Sequence, residues 1–146
     1  FISYCLCYLK YKKILSFFKI FMTMNSVIIN NQKFPVEYLT SPEEMSRGMM
    51  GRDKLDGCMA FKMGEGHHSF WMKNCKLPLD IVFVLGKRIS QIHKNCPVPD
   101  PHIMNPPIYS GIGDHVLEFP GGTATNWKVG DKVNLYLGSP LNPVKT

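Results

Sequence analysis

The chain has 146 residues, 45% of them apolar and 19% charged, the values of an ordinary globular domain long enough to build one core. Its formal charge of +6 is largely a property of the first 21 residues, which hold Lys10, Lys12, Lys13 and Lys19 and no acid. The remainder sets thirteen basic residues against eleven acidic ones, without a Lys/Arg cluster that could track phosphates, so a nucleic-acid partner is excluded.

The leader, FISYCLCYLKYKKILSFFKIF, is apolar, aromatic and basic. Its longest uncharged run, Phe1 to Leu9, falls short of the roughly 20 residues that a spanning helix needs. Lys19 interrupts the apolar stretch, and Met22-Thr23-Met24-Asn25 lacks the small residues of a cleavage site. Residues 1–24 therefore read as upstream or non-native sequence packed poorly on the body. Translation would then start at Met22 or Met24 and leave a cytoplasmic protein. The other reading is export or membrane anchoring through residues 1–21.

The body, residues 25–138, reads as a single β-rich domain followed by a loose tail, 139–146. Ser26 to Ile29 is a strand, Asn30-Asn31 a turn, and Lys33 to Leu39 the returning strand, with Pro35 suiting an edge position. Ser41-Pro42-Glu43-Glu44 spells a helix start: a Ser N-cap, a Pro in the first turn and a Glu that closes a capping box. The helix is predicted to reach about Met50, with Met45 and Met49 on its inner face and Gly51 as its stop. Strands are expected at Cys58 to Met63, His68 to Lys73, Leu79 to Leu85, Arg88 to His93, His115 to Phe119 and Lys132 to Leu137. Gly64-Glu65-Gly66 and Gly86-Lys87 are the turns between the early pairs, and Asn95 to Gly113 is a long, proline-rich loop. Short strands at close spacing with one short helix argue for a mostly β fold: a compact antiparallel β-sandwich or a small barrel. There is no βαβ alternation and no glycine-rich phosphate loop, and no cofactor is expected.

Within the body, charged residues stand beside apolar strands. Alternation puts Leu79, Ile81 and Phe83 opposite Asp80, Val82 and Val84, and puts Val116 and Glu118 opposite Leu117 and Phe119. Asp80 and Glu118 thus lie in or beside buried strands, where a charge needs a partner or a wet pocket. One reading is a polar cavity floored by Asp80 and Glu118 and walled by Arg47, Lys73 and Asn74, with Trp71 as a stacking wall. The other is structural ion pairing. The two carboxylates would also suit acid–base chemistry if they stood close together.

Metal binding has weaker support. His67, His68, His93, Cys96 and His102 include half a ligand pair, His93-Lys94-Asn95-Cys96, but no second half, so no metal is expected. Cys58, Cys75 and Cys96 are an odd, widely spaced set, which fits free thiols in a reducing compartment better than one bridge with a spare. Nothing near Cys75 in the sequence supplies a base for nucleophilic catalysis, and it reads as a small, half-buried residue.

Several segments together resemble an uncharacterised bacterial, archaeal and phage family, domain of unknown function 192. They are Arg47-Gly48-Met49-Met50-Gly51-Arg52, Gly57-Cys58-Met59-Ala60-Phe61, Phe70-Trp71-Met72-Lys73-Asn74-Cys75 with Pro78-Leu79-Asp80-Ile81, and Val116-Leu117-Glu118 with Gly121 and Val129-Gly130-Asp131. The resemblance spans Pro42 to Val133. It implies a β-sandwich of jelly-roll type and brings no established activity. It carries Arg47, Arg52, Trp71, Lys73, Asn74, Asp80 and Glu118 as matched positions. Cys75 stands where the family usually has Thr, His115 where Tyr is frequent, and the loop lacks the family's paired cysteines.

The expectation is a non-enzymatic module that binds a small polar or anionic ligand, or a peptide end, in a charged pocket. The alternatives are a hydrolase-like enzyme using Asp80 and Glu118, and a structural or interaction module.

Overall fold

The computed structural model describes residues 24–138. Its elements are β1 (Ser26–Ile29), β2 (Gln32–Leu39), α1 (Pro42–Arg47), β3 (Cys58–Trp71), β4 (Leu79–Leu85), β5 (Arg88–Cys96), β6 (Ile108–Pro120) and β7 (Val133–Tyr136). Residues 1–23 of the leader, with the start expected at Met22, and the tail from residue 139 lie outside the described residues. Among the described residues no helix is long and apolar enough to cross a membrane.

The strands form one curled sheet in the order β5-β4-β6-β3-β2-β1-β7. Its outermost strands meet. Arg88 bridges Lys132, and backbone bonds run from Ile89 N to Asp131 O (2.9 Å), Gly130 N to Ile89 O (2.8 Å) and Val133 N to Lys87 O (2.9 Å). The result is a half-barrel, mostly β with one short helix, within the sandwich-or-barrel class that strand spacing suggests.

All strand pairings are antiparallel except β2 with β3, which run parallel through the α1 crossover. Pro35 is not on an edge strand, because β2 lies between β1 and β3. Pairing with β3 begins only at Val36, and Val36 N bonds to Asn25 O on the β1 side. The missing N–H of Pro35 therefore falls on the side where no ladder bond is due.

The two faces of the sheet bury different cores. Inside the curl lie Val27, Ile29, Ala60, Val82, Leu117 and Phe119, closed off by Trp127, whose ring meets Phe119 edge-on at 4.9 Å. Against the outer face lie Met59, Phe61, Leu79, Ile81, Phe83 and Val116, covered by α1 and the segments around Leu55 and Met72.

β3 is a single strand rather than the two expected, with a register shift between Lys62 and Gly66. Nine extended residues would separate Phe61 from Phe70 by about 30 Å, yet their rings meet edge-on at 5.1 Å. The glycine-rich shift therefore folds β3 and its partner β6 back over the outer face. Phe70 then reaches Phe83, and Gly111 lies directly on that ring: a Cβ there would come within 2.6 Å of it. The proline-rich loop is correspondingly shorter than expected, because residues 108–113 belong to β6.

The capping box at Ser41 forms as read, with Glu44 N donating to Ser41 Oγ (3.2 Å) and Ser41 N to Glu44 Oε2 (3.3 Å). α1 ends at Arg47 rather than near Met50, because Gly48 turns the chain at φ 45° and its N–H caps Glu44 O.

Candidate functional site

A hollow of about 370 Å³ lies between α1 and the folded-back arm of β3. Arg47 comes from the last turn of α1, Trp71 from the end of β3, Lys73 and Cys75 from the turn beyond it, and Glu118 from β6. The walls are mostly apolar, with Met45, Met49, Phe61, Met63 and Phe70 contributing.

Glu118 has Met59 and Ile81 as its cross-strand neighbours, both fully buried. It is only 5% exposed, and its Oε2 is buried without a hydrogen-bond partner. Loss of water pushes its carboxyl up from 4.5 to about 8, so at neutral pH Glu118 is mainly protonated and offers both a donor and an acceptor. The Cys75 thiol, also buried, is pushed up to about 11 by burial and then by the Glu118 carboxyl, which disfavours the thiolate a nucleophile needs.

The cations sit at the rim. Trp71 is 48% exposed, and Lys73 Nζ lies 5.0 Å from its ring centroid, so the two form an exposed cation–π pair rather than a buried stack. Among the described residues no ion pair ties up Arg47 or Lys73.

The expected second carboxylate is elsewhere. Asp80 pairs with Phe119, whereas Glu118 pairs with Ile81, so the two acids point to opposite faces of the sheet. Asp80 is fully buried and spends both oxygens on backbone amides: Asn95 N at 2.7 Å and Ala124 N at 2.6 Å. It pins the end of β5, where Asn95 has φ 51°, to the turn after β6. A cavity floored by both carboxylates is therefore corrected to one floored by Glu118 alone, and the close pair that acid–base chemistry would use does not form.

Two further expected residues stand apart. Arg52 makes a two-pronged bond to Glu37, with both contacts at 2.6 Å. Asn74, at φ 57°, shapes the turn beyond Trp71: its carbonyl accepts from Gly51 N (2.9 Å), and its side chain faces a neighbouring, wider depression. The walls Phe61, Met63 and Phe70 were not singled out in the sequence. Their signal is the alternation of β3, which becomes readable only once the strand is known to fold back on itself.

Among the described residues no three His, Cys, Asp or Glu side chains converge as a metal site. His93 Nε2 meets Ser110 O at 2.8 Å, and Cys96 Sγ meets the His93 carbonyl at 3.5 Å. Cys58, Cys75 and Cys96 are buried free thiols.

Similar proteins share this frame. A protein of unknown function from Novosphingobium aromaticivorans DSM 12444 is 31% identical, with a TM-score of 0.63 over 76% of this chain and 83% of its own. A Sinorhizobium meliloti 1021 protein, provisionally described as a transcription regulator, is 28% identical, with a TM-score of 0.63 over 76% of this chain and 91% of its own. No curated protein matches the chain. The family description DUF192, an uncharacterized ACR, matches residues 25–135, and with that span covered the chain belongs to the DUF192 family.

Proposed function

We propose that this domain is a non-enzymatic binding module that takes a small ligand, or a peptide end, with an anionic group and an apolar body into the hollow beneath α1. The observation that carries this reading is Glu118: a buried carboxyl with an unpartnered oxygen, at the base of an open, largely apolar hollow rimmed by two cations. A buried polar atom without a partner costs about 1–3 kcal/mol. A carboxylate kept only to fix the fold would be expected to close on Arg47 or Lys73, and it does not. The protonated carboxyl would meet a polar group of the ligand, the rim cations its anionic group, and the methionine and phenylalanine walls its body.

The hydrolase reading loses its support, because Asp80 and Glu118 are separated by the sheet. A thermal-shift screen of small carboxylates, phosphates and short peptides tests the proposal. Compounds that stabilise the wild type are expected to lose most of that effect with Arg47→Ala/Lys73→Ala, two exposed changes that leave the core intact. If no compound stabilises the wild type, or if the double variant responds equally to all of them, the hollow is structural and the reading fails.

A further inference from the structure

We propose a second binding site, for a small amphipathic carboxylate, at the end of the half-barrel where Tyr38, Lys62 and His115 face inward. The site is independent of the hollow beneath α1, because His115 and Glu118 point to opposite faces of β6.

Strand alternation carries the reasoning. Phe34, Val36 and Tyr38 share one face of β2, Cys58, Ala60 and Lys62 one face of β3, and Phe119, Leu117 and His115 one face of β6. The registers Tyr38↔Ala60, Ala60↔Leu117 and Lys62↔His115 align these three rows along the inside of the curl. The rows are apolar through the core and then turn polar together in their outermost layer. A barrel end that served packing alone could close with apolar side chains or open directly to water. Here it opens as a cavity of about 440 Å³, within the roughly 300–1,000 Å³ typical of ligand sites, which barrel mouths often host.

The polar layer is organised. Asp114 Oδ2 accepts from Gly86 N (2.9 Å), and its Oδ1 meets His115 Nδ1 at 2.8 Å. Burial acts to raise the Asp114 carboxyl, but the Gly86 amide and His115 hold it below the usual range, so it is an ionised acceptor. Nδ1 of His115 therefore carries the proton that Asp114 accepts, and Nε2 is left to accept from the Tyr38 hydroxyl at 3.2 Å. The two rings stack at 6.1 Å. This fixes the phenol with its oxygen's remaining lone pair free and its ring as one wall.

Lys62 and the hairpin residue Lys87 line the same cavity, and both are exposed. Among the described residues neither forms an ion pair with an acid. Against the single negative charge of Asp114 they leave one net positive charge at the mouth. Behind them the walls are Val84, Leu117, Val133, Leu135 and Leu137. Two cations over an apolar shaft match a monoanionic head on a short apolar chain.

Isothermal titration of the full chain with sodium octanoate, and with uncharged 1-octanol, tests this. Octanoate is expected to bind saturably and more tightly than octanol, and to shift the ring resonances of His115. Lys62→Gln/Lys87→Gln is expected to weaken octanoate by about tenfold or more. Octanoate also suits the hollow beneath α1, so the Lys62→Gln/Lys87→Gln comparison is repeated in the Arg47→Ala/Lys73→Ala background, with the His115 ring resonances as the local readout of the second site. Circular dichroism confirms that both double variants fold, since all four positions are exposed. The proposal is overturned if octanoate does not saturate, if octanol binds as tightly, if Lys62→Gln/Lys87→Gln retains the affinity of its background, or if the His115 ring resonances do not move as octanoate saturates.

Discussion

Replacing Glu118 by Gln should change how stability depends on pH more than it changes stability itself. The native carboxyl titrates near 8, against 4.5 in the unfolded chain, because it is buried without a partner. A raised carboxyl means that the folded state holds a proton which the unfolded state has already released. Wild-type stability is therefore complete below about pH 4.5, declines between 4.5 and 8, and levels off above 8. At about 1.4 kcal/mol per pH unit, that window accumulates about 5 kcal/mol. Gln keeps the shape of Glu and cannot ionise, so Glu118→Gln removes the slope. Urea unfolding from pH 5 to pH 9 is the assay. The variant and the wild type should be within about 1 kcal/mol of each other at pH 5, and the variant should be several kcal/mol more stable at pH 9. If the wild type holds its stability relative to the variant across that range, Glu118 is not a desolvated acid, and the unpartnered oxygen at the base of the hollow loses its meaning.

Asp80→Ala is expected to cost about 3 kcal/mol in urea unfolding at pH 7, because it strands the amides of Asn95 and Ala124; a cost under about 1 kcal/mol would show that water replaces the carboxylate. Ser41→Ala is expected to cost about 1 kcal/mol by removing the α1 cap, with an equal Tm loss in the absence and presence of any ligand of the hollow. A loss much larger than that would mean α1 also holds the hollow's wall in place.

Much of the architecture was legible before any coordinates. The alternation of Leu79 to Val84 and of Val116 to Phe119 assigned every side chain of those stretches to a face, and the Ser41 to Glu44 pattern placed the helix start. What alternation cannot supply is register. Whether Asp80 lies across from Glu118 or from Phe119 depends on the register of two strands distant in sequence, and a slip of one residue exchanges the faces. The same limit hid the fold-back of β3: Gly64-Glu65-Gly66 has the composition of a hairpin turn, but here the glycines let a continuous strand bend. Arg52 illustrates a further limit, because its partner Glu37 becomes adjacent only once the segment after α1 turns back beside β2. Tyr38 and His115 likewise meet only once three strands are set side by side.

The seam between β5 and β7 limits how the domain can be approached. Partners that recognise a sheet by adding a strand of their own need a run of unoccupied amides and carbonyls along a border. Near Ile89 and Val133 those groups are already satisfied by the chain itself. Recognition at this stretch must then rely on side chains and cavities rather than on backbone extension, and the same bonds keep it from pairing border-to-border with another copy.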